Sequence, residues 1–153
     1  MEWKAVDLLD AVEQRLAAIE VGGKKVFRNI DQAVDASTIL DNTQIKSDGA
    51  YVVPIDDAGQ SNERTTGRYS QLIRERFGVL IACRSINDPL GTNVNRRLAT
   101  MKKQVRAALA GFEPGGGYES IQFEQGSLFE FRKGGVLWIE EYSVEYIYEG
   151  EQS

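Results

Sequence analysis

The sequence contains no histidine and only one cysteine, Cys83, among its 153 residues. Without histidine, Ser-His-Asp and Cys-His catalysis and every histidine-containing zinc site are excluded. A single cysteine can form neither an internal disulfide nor a thiolate metal cluster, and its apolar neighbours predict a buried, inert thiol. These absences remove several classes of enzyme and metalloprotein.

Long apolar runs are also missing. The longest, residues 78–83, is far shorter than the roughly 18 residues that span a bilayer, so we expect no membrane partner. The first residues lack the basic and apolar regions of a signal peptide, which predicts synthesis in the cytosol. The composition, 42% hydrophobic and 27% charged, is typical of a folded protein, and the length fits one domain over residues 1–153.

Hydrophobic periodicity predicts the elements of the N-terminal half. Residues 5–19 have helical spacing, and Gly22-Gly23 is the predicted stop. We expect a short strand at 24–28 and a short helical turn at 30–36. Residues 50–55 predict a strand near a sheet margin, because Pro54 cannot donate a hydrogen bond to a neighbouring strand.

The middle of the chain combines an exposed arm with the predicted central strand. The polar stretch 56–69 indicates an exposed loop or extended hairpin arm. Alternation over residues 71–84 places Phe77, Val79 and Ile81 on one sheet face.

A second long helix and a hairpin complete the pattern. Thr92 or Asn93 is the expected cap of the helix, which ends near Gly111 and Pro114. A tight turn at 132–135 joins two antiparallel strands. The order of elements predicts an α+β fold, with an antiparallel or mixed sheet of about four strands and two main helices packed on one face.

Aromatic residues of the last predicted strand have two interpretations. They are most simply a wall of the core, with an oligomer interface as the alternative for Tyr146 and Tyr148.

The carboxylates show no catalytic or metal-binding pattern. Asp56 and Asp57 lack the spacing of an EF-hand, and Glu140 and Glu141 should point to opposite faces of a strand. We therefore assign no catalytic, metal or cofactor site.

Charge is strongly divided along the sequence. Between Thr92 and Ala110 there are five bases and no acid: Arg96, Arg97, Lys102, Lys103 and Arg106. The C-terminal segment carries the acidic counterpart: Glu140, Glu141, Glu145, Glu149 and Glu151. A solvated helix face would explain some of these bases. The net charge of −5 favours protein docking over nucleic-acid binding, and a head-to-tail contact between copies can close into a ring.

Four segments, in their order and spacing, resemble the tail terminator proteins of long-tailed bacteriophages. They are Tyr51–Ile55, Arg74–Ile81, Val105–Phe112 and Gly135–Tyr142, and the resemblance covers nearly the whole chain. It implies a virion protein, made in the host cytoplasm, that caps the tail tube as a ring, usually a hexamer, at the head-proximal end. Such a ring stops tube polymerisation and docks the head connector. The resemblance implies no enzyme activity and no cofactor, and an acidic ring would let DNA pass without retaining it.

The candidate interface with other subunits or the tube combines the arm, the basic helix and the acidic strand. Its residues are Arg64, Arg68, Arg96, Arg97, Lys103, Arg106, Glu141, Glu145 and Glu149. Three alternatives stay open. They are a head-tail joining or other minor tail protein, a nucleic-acid-binding module using the basic helix, and a small-molecule enzyme whose pocket would join Asp56, Asp57 and Lys103.

Overall fold

A computed structural model describes residues 7–33, 45, 47–61, 69–85, 91–132 and 134–150. The elements within these ranges are α1 (Leu8–Ala17), β1 (Glu20–Val21), β2 (Lys24–Lys25), β3 (Asn29–Gln32), β4 (Gly49–Gly59), β5 (Ser70–Arg84), α2 (Thr92–Leu109), β6 (Gln122–Arg132) and β7 (Gly135–Glu149).

The main sheet has five strands in the order β3-β4-β5-β7-β6, and β1 and β2 form a separate two-stranded sheet. Only the β3–β4 pair is parallel, so the sheet is mixed, as predicted for an α+β fold. We expected about four strands, and the main sheet has five. The predicted turn at 30–36 accounts for the difference, because Asn29–Gln32 instead pairs with Gly49–Val52.

The central position of β5 is confirmed. It pairs with β7 over its whole length, from Ser70 opposite Glu149 to Arg84 opposite Gly135. Phe77, Val79 and Ile81 are fully buried on the predicted core face. The opposite face is also apolar at this end of the strand, where Leu80 is fully buried.

Both helices pack on the same face of the sheet, as predicted. The α1 helix begins after Asp7, whose Oδ1 accepts from the amide nitrogens of Leu9 at 3.0 Å and Asp10 at 3.3 Å. The expected stop at Gly22-Gly23 is wrong, because α1 ends at Ala17. These glycines, with φ of 62° and 80°, instead form the turn between β1 and β2, where positive φ suits glycine.

The α2 helix buries a longer stripe than α1. Its buried residues are Val94, Leu98, Met101, Val105 and Leu109. The predicted cap at Thr92 or Asn93 is wrong, because Gly91 occupies the cap position with a left-handed φ of 72° and supplies no side-chain hydrogen bond. The helix ends as predicted, with Gly111 at φ 85°.

The β4 strand reaches a sheet margin at the predicted place. Its pairing with β3 ends at Val52, and its register with β5 shifts between Pro54 and Asp56. The first part of the predicted arm, through Gly59, is therefore strand paired with β5. Residues 62–68, which include Arg64 and Arg68, lie outside the described residues.

Candidate functional site: a surface divided by charge

The five bases of α2 divide among three sides of the helix. Lys102 and Arg106 face β6 and β7, where Lys102 Nζ lies 3.9 Å from the centroid of the Trp138 ring. Arg97 lies on the other flank and contacts the end of β5. The side chains of Arg96 and Lys103 are exposed and make no hydrogen bond or ion pair with the described part of the chain, although the Arg96 carbonyl accepts from the Thr100 hydroxyl at 3.2 Å. The sequence pattern alone could not separate these roles.

Arg106 is held by a carboxylate that is completely buried. Its Nε and Nη2 donate to the two carboxylate oxygens of Glu140 at 2.5 and 3.0 Å, and Trp138 Nε1 donates to the same group at 2.9 Å. The guanidinium carbon lies 4.3 Å from the centroid of the Phe123 ring. The hydrogen bond to Glu140 raises the pKa of Arg106, so the cation is retained. This pair attaches α2 to the sheet.

Gly126 makes room for this carboxylate. A Cβ atom at residue 126 would lie 2.1 Å from Glu140 Oε2 and 3.0 Å from Trp138 Nε1. The strand β6 can therefore pass Glu140 only without a side chain. Sequence analysis missed Gly126, although a glycine inside an alternating strand is itself a signal of close approach.

Arg97 borders a surface cleft of about 570 Å³. Its guanidinium donates to the Asp48 carboxylate and to the Arg84 carbonyl. Burial alone would lower the pKa of Arg97, but its hydrogen bond with Asp48 and the charge of Asp48 raise it. The cleft is lined by Lys25, Val26, Phe27, Arg28, Ser47, Asp48, Arg84 and Arg97. Four bases against one acid make this end of the sheet basic.

The acidic candidates lie along β7. Glu141 accepts from Arg76 Nη2 at 3.0 Å, and the same guanidinium binds Asp56 at 2.9 Å. Glu141 therefore lies on the face opposite Glu140, as predicted. Glu145 is half-buried across from Arg74, and Glu149 is exposed across from Ser70.

A second acidic group lies on the helix-facing side near the start of β5. Glu75 is directly opposite Asp57 and accepts a 3.0 Å hydrogen bond from the Tyr118 hydroxyl. Burial raises the pKa of Glu75, and the charges of Asp57 and Asp7 raise it further, while the Tyr118 bond lowers it. Like charges on directly opposed strand residues are destabilising.

The residues suggested for an enzyme pocket do not converge. Asp56 binds Arg76 on the face away from the helices, Asp57 is opposite Glu75 on the other face, and Lys103 is exposed on α2. Within the described ranges, no group of three or more acidic or cysteine residues could hold a metal ion. Cys83 is buried as predicted, and burial raises its pKa to about 11.

The predicted aromatic wall is only partly buried. Tyr142 is fully buried and stacks on Phe77, with ring centroids 5.6 Å apart. Tyr146 is half-buried, but Tyr148 is 51% exposed, so its assignment to the core is wrong. Tyr148 lies next to the end of β7, where its ring contacts that of Tyr69.

The fold is thus an α+β domain in which some predicted interface charges hold the domain together and others are exposed. A family model of phage tail terminator proteins matches residues 3–152. The chain therefore belongs to the phage tail terminator protein family, a family of structural proteins, as its four segments indicated. No curated protein matches the chain. None of the described helices is long and apolar enough to cross a membrane.

Proposed function

We propose that this chain forms a ring, a hexamer by its family resemblance, on the end of the phage tail tube. The ring ends tube polymerisation at the head-proximal end and presents a docking surface to the head connector. Membership of the tail terminator family over nearly the whole chain is the observation that carries this proposal.

The charge distribution supports self-association as the means of ring formation. Arg96 and Lys103 are exposed on α2, while Glu149 is exposed on β7 at the far end of the sheet. Contacts between unlike charges on neighbouring copies specify orientation and weaken as salt screens them. In the proposed ring, Arg64 and Arg68 attach the arm to a neighbouring subunit or to the tube. Arg97, Arg106 and Glu141 bind carboxylates or a guanidinium within the same chain. In the proposed ring they therefore hold α2 and β7 in place and so position the exposed charges.

Two measurements test the proposal together. Light scattering over a range of protein and salt concentrations, followed by particle imaging, should find a closed ring that loosens as salt rises. Tube protein polymerised with the purified chain should give shorter tubes than tube protein alone. A chain that is monomeric at every concentration and leaves tube length unchanged would contradict the proposal.

A charge reversal sharpens the test. We expect Lys103→Glu to weaken the ring at low salt and to have little effect at high salt, where the interaction is screened in any case. Lys24→Glu makes the same change on the exposed strand β2 and serves as the matched control. Equal behaviour of the two variants would contradict the role of Lys103.

A further inference from the structure

Exposed hydrophobic side chains are grouped on this domain. The described residues include seven large ones that are exposed: Val21, Tyr69, Leu128, Phe129, Phe131, Ile147 and Tyr148. Five of them form two groups, whereas Val21 stands alone and Ile147 lies on the face of β7 opposite Tyr148. Single exposed hydrophobics are normal on a protein surface, whereas grouped ones indicate interaction sites.

The first group, the edge patch, consists of Leu128, Phe129 and Phe131 on the edge strand β6. Phe131 is 72% exposed, the highest value among these side chains. The strand β6 pairs with β7 on one side and has no described strand on the other. The edge patch therefore adjoins main-chain groups that no described strand pairs with, and these can add hydrogen bonds to a docked partner.

The second group, the end patch, consists of Tyr69 and Tyr148. The rings of Tyr69 and Tyr148 make an edge-to-face contact with centroids 6.1 Å apart. The amide nitrogen of Gly150 donates to the Tyr69 carbonyl at 2.9 Å, which joins the two chain segments. The end patch is thus a defined surface at the end of β7.

The two patches lie at opposite ends of β7. Phe131 is opposite Val136 at the start of that strand, while Tyr148 is next to its last residue. Twelve residues separate Val136 from Tyr148, which corresponds to roughly 40 Å of extended strand. One patch cannot cover the other within a single copy of the chain.

Opposite charges surround the two patches. Leu128 is opposite Trp138, over which Lys102 lies, and Arg132 pairs with Glu130 at 3.0 Å. The Arg132–Glu130 pair is neutral, so Lys102 gives the helix-facing side beside the edge patch a positive charge. Glu75 and Asp57 lie near the end patch on the same helix-facing side of the sheet, where burial and the charges of these two acids raise the pKa of Tyr146, two residues before Tyr148. The patches are therefore complementary in charge as well as apolar.

We propose that the edge patch of one subunit packs on the end patch of the next subunit in the ring. This inference rests on the proposed ring-forming function and names its interface. The contact joins two different surfaces, so it repeats around a ring and leaves neither patch exposed once the ring closes. Large aromatic side chains such as Phe131 and Tyr148 supply the buried area on which such contacts depend.

The test uses two variants that each remove one patch. Phe131→Asp and Tyr148→Asp should each be monomeric under conditions in which the unaltered chain assembles. A mixture of the two retains one intact edge patch and one intact end patch. It should therefore form a one-to-one dimer of twice the 17.1 kDa chain mass, which cannot grow further. Val21→Asp, at the isolated exposed residue, is the matched control and should assemble normally.

Other outcomes would overturn the inference. Variants that still assemble, a mixture that stays monomeric, or an unaltered chain that never assembles would each show that the patches do not meet. Circular dichroism of each variant checks that it is folded, and Phe131→Ser and Tyr148→Ser repeat the mixture without an added charge. A tube-capping assay distinguishes failure of this interface from failure of the proposed function. If both variants still cap tubes as the unaltered chain does, the interface is rejected and the proposed function stands.

Discussion

At the scale of single residues, the buried carboxylate of Glu140 restricts which residue types its neighbours can be, because it binds Arg106 and Trp138 and leaves no space for a side chain at residue 126. Its position was recognisable from the sequence only in part, since strand alternation correctly placed Glu140 and Glu141 on opposite faces. The partner, Arg106, is 34 residues away on another element, so no local pattern could identify the pair. Removing one partner of a buried ion pair is costly, because the remaining charge lacks compensation.

We expect Gly126→Ala to destabilise the domain by roughly 2–4 kcal/mol, because the new Cβ must displace the Glu140 carboxylate from Arg106 and Trp138. Urea denaturation followed by circular dichroism measures the change in the free energy of unfolding. Ser127→Ala, at the exposed neighbouring residue of β6, should change it by no more than about 0.5 kcal/mol. Equal stability of the two variants would show that the carboxylate can move at little cost.

At the scale of elements, periodicity predicted the long helix and strands well and the short strand poorly. The buried stripe of α2 and the whole length of β5 follow from their own residues. The strand β3 does not, because its four residues are held by pairing with Gly49–Val52, about twenty residues later in the chain. The start of α2 was also missed, since a glycine cap supplies a backbone conformation and no side-chain signal.

The conformation of Gly91 gives a prediction for α2. Its φ of 72° is left-handed, and the nearest atom to an added Cβ is a Val94 methyl at 3.8 Å, so space is not limiting. Gly91→Ala should therefore cost about 1 kcal/mol through backbone strain alone. Gly91→Asn should cost less, because asparagine tolerates this conformation better. Thermal unfolding of the two variants checks the order, and an alanine variant as stable as the asparagine variant would contradict it.

At the scale of the whole molecule, the described strands of the sheet differ in how many neighbours they pair with. The β5–β7 pair runs through its centre, both helices lie on one face, and β6 forms one edge. The sequence indicated the fold class and the separation of charge, but not which charges would be used internally. That depends on distances between elements, which a single sequence does not encode in any local pattern.

Native-state hydrogen exchange should reveal this unevenness. We expect the amides of Val79–Ala82 in β5 to exchange most slowly, because these residues are buried and paired with strands on both sides. Amides of β3, which is short and at an edge, should exchange fastest among the strands of the main sheet. Uniform protection across the five strands would contradict this picture of a central pair with weaker edges.

The buried state of Cys83 has a practical consequence for studying assembly. Its thiol is fully covered and has a raised pKa, so it is a poor target for thiol-reactive dyes in the folded protein. A cysteine introduced at an exposed residue would then be the preferred labelling site. Fluorophores placed in this way could follow subunits joining one another in real time, without first removing the native thiol from the core.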